Sequence, residues 1–115
     1  MKARLIETLE KLGYPVYLQG TFAEDEEYPA SFITFYTSDS DDAAHFDNEP
    51  VGVAWQYQVI FYSSDPRLIA TVPADIRANL RQAGFIPQGY GRDVPSDEPT
   101  HTGWAMEFYY LEVLS

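Results

Sequence analysis

The stretch 54-AWQYQVIFYSS-64 decides how the rest of the chain is read. Its odd positions, Trp55, Tyr57, Val59 and Phe61, form one apolar face at the two-residue period of a strand. Its even positions, Ala54, Gln56, Gln58, Ile60 and Tyr62, mix polar and apolar groups and make no solvent face. Counted from Val51, the strand would reach roughly 40 Å at about 3.3 Å per residue, far beyond the usual strand of about five or six residues. A sheet built on it has two faces to cover.

The 115 residues have room for one domain, spanning 1–115, with one core. Apolar residues make up 45% of the chain, which excludes a disordered tail. The aromatic share of 16% favours sheet and contact surface. Eighteen Asp and Glu stand against seven Lys and Arg, a net charge of −11. That balance opposes the basic stripe of a nucleic-acid binder and the attraction to an anionic membrane. With no cysteine, disulfides, thiolate metal sites and a Cys nucleophile are excluded. The opening "MKARLIETLEKLG" has one short apolar stripe with charges throughout, so it reads as neither signal peptide nor membrane span. A protein made in the cytoplasm, or carried from there inside an assembly, is expected.

Working outward from the long strand, residues 2–12 read as a helix with Leu5, Ile6, Leu9 and Leu12 on one face and Gly13 as its stop. Residues 14–19 are a short strand, 20–29 an acidic connection, and 30–37 a strand rich in β-branched and aromatic residues. Residues 38–50, "SDSDDAAHFDNEP", read as a loop, so that 30–64 is a hairpin with an extended acidic tip. After Asp65 as a cap, Pro66 starts a turn or short helix. The main helix then starts near Thr71, with Pro73 in its first turn, and runs to Ala83 with Ile76, Leu80 and Ala83 inside and Arg77, Arg81 and Gln82 outside. Residues 85–90 are a strand, 91–102 a Pro-rich loop, and 103–114 a second long strand. "LEKLGYPVYLQG" and "LRQAGFIPQGYG" repeat one corner: helix end, Gly, aromatic, then a strand containing Pro. The expected fold is α+β in the order α-β-β-β-α-β-β, a mostly antiparallel sheet of four to five strands with two helices on one face.

No pattern of catalytic or binding chemistry stands out. Read as a calcium loop from Asp39, "DSDDAAHFDNE" offers Asp39 and Asp41. It then places Ala43 at a ligand position, Ala44 where the turn glycine belongs, and Pro50 where the bidentate Glu should be. His45 and His101 lie in predicted loops with no nucleophile to activate, and no "GxSxG" is present. "GYGRD", 89–93, matches no phosphate-binding glycine pattern and reads as a turn. Trp104, Tyr109 and Tyr110 could stack on bases, but no basic residues flank them. No enzyme activity, cofactor or metal is expected. What remains is surface. The last strand carries Trp104, Met106, Phe108 and Tyr110 on one face and Ala105, Tyr109, Leu111 and Val113 on the other. Either the strand ends curl and the tyrosines snorkel, or another subunit covers the second face or extends the sheet edge; the second reading is the expectation.

In element order and texture the chain resembles the tail-terminator, or tail-completion, family of head–tail joining proteins of long-tailed bacteriophages and prophages. The resemblance is carried by "LIETLEKLGYPVYLQGTFAEDEEYPASFITFYT", "VIFYSSDPRL", "IRANLRQAGFIPQG" and "DVPSDEPTHTGWAMEFYYLEV", which together cover nearly the whole chain. It implies α+β subunits closing into a homo-hexameric ring that stops growth of the tail-tube protein and offers a docking surface to the head connector. It implies no catalytic residues, and a place in the neck of a virion assembled in the bacterial host cytoplasm. An acidic lumen would repel the DNA it lets pass. The break at Pro73 and the long loop 91–102 depart from the family's pattern. The residues expected at interfaces are His45, Phe46 and Asp47 at the hairpin tip, Tyr90, Arg92 and His101 around the second loop, and Trp104 at the edge. Alternatives are another neck or minor capsid component, such as a head-closure protein, and an acidic monomeric inhibitor or DNA mimic. The mimic would need its carboxylates in rows, and the sequence groups them in predicted loops.

Overall fold

The computed structural model describes residues 2–18, 29–46, 49–96 and 99–113, with side chains for all of these except 43–46 and 49–51. The elements are α1 (Lys2–Glu10), β1 (Val16–Leu18), β2 (Ser31–Phe46), β3 (Glu49–Ser63), α2 (Pro66–Gln82), β4 (Ile86–Pro95) and β5 (Thr102–Val113). They build an α+β fold on a five-stranded sheet of order β1-β2-β3-β5-β4. β1 runs parallel to β2, and every other pairing is antiparallel.

The odd positions of the long strand face the helices. Tyr57, Val59 and Phe61, next to Phe35 and Ile33 on one side and Phe108, Met106 and Trp104 on the other, form the floor of the core. Leu5 and Leu9 of α1 and Val72, Ile76 and Leu80 of α2 close it from above. Both helices end as the repeated corner predicts, with Gly13 and Gly84 at φ of 88° and 100°. After α2, Gly84 N–H donates to Arg81 and Phe85 N–H to Leu80, the paired bonds of a left-handed glycine cap. Phe85 then drops into the core against Tyr57 and Tyr110.

Three expected boundaries are corrected. Residues 38–46 are not loop but the outer half of β2, paired with β3 as far as Phe46 opposite Glu49. The run of Asp and Ser has poor strand propensity, but β3 is already held in the sheet by β5 and presents a fixed row of backbone partners. Register shifts after Thr37, Asp42 and Ala44 mark the strain of that match. The carboxylates of Asp39, Asp41 and Asp42 therefore lie on a strand, not in a loop. Second, α2 is one helix from Pro66, so Pro73 is interior to it. Asp65 caps the start by accepting from Arg67 N–H, and burial of Val72, Pro73 and Ile76 outweighs the backbone bond that Pro73 cannot donate. Third, β4 continues to Pro95, leaving a shorter connection than 91–102.

The face away from the helices has a cover of its own at the body end. Phe32 stacks on Tyr62 at 5.1 Å and meets Tyr17 edge-on, and Thr34, Gln58, Ile60 and Ala105 beside them are buried. Tyr36 donates its hydroxyl hydrogen to Gln58 on the same face. Towards the far end the cover runs out: Leu111 and Val113 are 56% and 83% exposed. There β2, β3 and the end of β5 form an arm that stretches the molecule to 53 × 28 × 22 Å. Among the described residues no strand pairs with the outer edge of β2 beyond Phe35.

Candidate functional site

Two features stand clear of the core: the arm, and a groove between α2 and β4 at the other end of the sheet. The groove begins with a local accident of sequence. In "QGYGR" the register of β4 against β5 jumps between Gln88 and Arg92, and Gly89 and Gly91 take φ of 70° and 101°. Those two left-handed residues lift Tyr90 out of the strand, and it is 73% exposed. Its backbone carbonyl accepts from Trp104 Nε1–H at 2.8 Å, and its ring lies under the Arg77 guanidinium, 4.2 Å from the centroid. Arg77 Nε–H also donates to the Gly89 carbonyl at 3.2 Å, fixing the bulge to α2.

Ile69, Ala70, Pro73 and Ala74 supply the α2 wall and Trp104 the floor of a mostly apolar groove of about 240 Å³. It continues past Tyr90 along Ala78 and Arg81. Arg77 and Arg81 are one helical turn apart on this side of α2, and among the described residues neither pairs with a carboxylate. Asp93 on β4 is the strand partner of Trp104.

The expected interface residues separate into four places. Tyr90 and Trp104 meet at the groove. Arg92, opposite Ala105, lies on the other face of the sheet. His101 is 92% buried against Phe32; its Nε2–H donates to the Pro29 carbonyl at 2.8 Å and its Nδ1 lies 2.9 Å from the Thr100 hydroxyl, so it ties two connections together inside the chain. His45 and Phe46 are at the end of the arm, and Asp47 lies outside the described residues. From Phe61, the strand partner of Trp104, to Glu49 is twelve residues of β3, about 40 Å of strand. The groove wall of Ile69, Pro73 and Arg77 escaped the sequence reading, which restarted the helix after Ile69; only the i, i+4 pair Arg77 and Arg81 hinted at it.

At the arm's root Trp55 stacks on Tyr57 at 6.4 Å, and Trp55 Nε1–H points to Glu112 Oε1 at 3.4 Å. Burial, with Glu112 nearby, pushes the Tyr57 hydroxyl above its ordinary titration range. Among the described residues no cluster of three or more His, Asp or Glu is placed to hold a metal ion, and no helix is long and apolar enough to cross a membrane. No protein-family model matches the chain, and no curated protein sequence matches it.

Proposed function

We propose that the protein is a structural component of a phage neck, a ring-forming subunit that caps the tail tube and meets the head connector. The observation that carries the reading is the arm. Among the described residues no strand covers the outer edge of β2 beyond Phe35, and Leu111 and Val113 are exposed on β5 across β3 from it. Such a surface is one that a subunit of an assembly uses and an isolated domain has reason to blunt. The resemblance in element order and texture to tail terminators points the same way. A head-to-tail contact that closes makes a ring, and one that does not makes a filament. The test is the solution mass across concentration and salt, followed by addition of the assembled protein to growing tail tubes. A sixfold mass and tubes of fixed length support the reading; a monomer that leaves tube growth unchanged refutes it.

A second reading, an acidic inhibitor of a basic protein, is favoured by one observation. Asp39 and Asp41 face the same side of β2, about 7 Å apart, a short row of carboxylates rather than a loop cluster. It predicts a stable monomer that binds a basic enzyme in competition with nucleic acid.

A further inference from the structure

The charges of this chain are sorted by region. Of the seven Lys and Arg, Lys2 and Arg4 lie on α1 with Lys11 just after it, and Arg67, Arg77 and Arg81 lie on α2; only Arg92 is elsewhere. The exposed part of the arm carries Asp39, Asp41 and Asp42 and no basic residue. In sequence, the arm's end is an apolar segment set among acids: Ala43, Ala44 and Phe46 between Asp42 on one side and Asp47 and Glu49 on the other. The groove has the complementary composition, an apolar floor of Trp104 and an apolar wall with Pro73, and Arg77 and Arg81 along one rim.

We infer that the α2–β4 groove is the seat for the acidic arm of a second copy of this chain. The occupant cannot be the chain's own arm, which ends about 40 Å of strand away from Trp104. The contact joins two different surfaces, so a pair of copies keeps one free arm and one free groove and the chain of contacts runs on until it closes. Tyr90, held out by its two glycines and backed by Arg77, forms the lip over which the arm enters. The carboxylates of Asp39 and Asp41, on one face of β2, meet Arg77 and Arg81, while Asp93, the strand partner of Trp104, opposes them and limits the affinity. This rests on the self-assembly proposed above and specifies which surfaces make it.

The test uses two full-length variants. Asp39→Lys with Asp41→Lys reverses the arm and leaves the groove intact; Arg77→Glu with Arg81→Glu does the opposite, and Arg81→Glu alone serves if loss of the Arg77–Tyr90 stack impairs folding. The arm-reversed protein is isotope-labelled, and the unlabelled groove-reversed protein is added. Amide shifts at Ala70, Ala74 and Tyr90, absent when the added protein carries the reversed arm too, are expected. The two variants should also be monomeric alone, near 13.1 kDa, and recover the wild-type mass when mixed, because the swapped charges complement each other. No shift at the groove overturns the inference, as does wild-type assembly by either folded variant alone. A sixfold wild-type mass with no groove shift leaves the ring standing and removes only this contact. Groove shifts with a mass that never exceeds a dimer keep the contact and remove the ring.

Discussion

Among Gly13, Gly84, Gly89, Gly91 and Gly103, Gly91 has the least freedom. Its φ is 101°, and a Cβ there would run into the Ala105 carbonyl and the Trp104 indole nitrogen, whereas a Cβ on Gly89, at φ 70°, meets nothing within 4 Å. Gly91→Ala should therefore cost more than about 2 kcal/mol in urea unfolding, and Gly89→Ala about 1 kcal/mol, the left-handed backbone penalty alone. Tyr57 gives the pH dependence. Its titration is raised above the ordinary value of 10.0, so its contribution is complete below that value and is lost as pH rises through the raised one. Comparing urea midpoints about one unit either side of 10, Tyr57→Phe should lose less stability on the alkaline side than the wild type.

At the scale of elements, periodicity predicted the inside of each helix and strand well and their ends poorly. Leu5 and Leu9, Ile76 and Leu80, and the odd positions from Trp55 to Phe61 face the core as their spacing requires. The errors came where local preference and tertiary packing disagree. Asp39 to Asp42 look like a loop until β3 offers them a ladder, and Pro73 looks like a helix start until the apolar side of α2 is buried on both sides of it. Asp65 was legible as a cap, and its side chain accepts from Arg67 N–H at 2.9 Å. Asp65→Ala should lower stability by about 1 kcal/mol, seen as a lower urea midpoint with an unchanged slope against denaturant, as followed by far-ultraviolet circular dichroism.

For the whole molecule, shape is the measurable quantity. A compact chain of this length has a radius of gyration of about 13 Å, but the arm raises it to 15.3 Å. X-ray scattering from a monomeric, arm-reversed variant should give a value near 15 Å, and a fall to about 13 Å would mean that the arm folds back. In the assembled protein, a contact made by surface carboxylates and arginines should weaken as salt rises and the screening length shrinks, so the mass should drop with ionic strength.

The sequence by itself determined the α+β class, the order of elements, the core positions and the acidic character, because these follow from side-chain period, glycine stops and composition. It also marked Tyr90 and Trp104, whose large rings near glycines are conspicuous in any reading. Tertiary structure alone decided that the acidic segment is strand, that α2 is unbroken, and that His101 is held inside. Each of these depends on a partner distant in the chain: the backbone of β3 for the arm, the sheet beneath α2 for Pro73, and the Pro29 carbonyl for His101. Local spacing contains no record of such partners, since chain folding creates the contacts that choose among the conformations local preference allows.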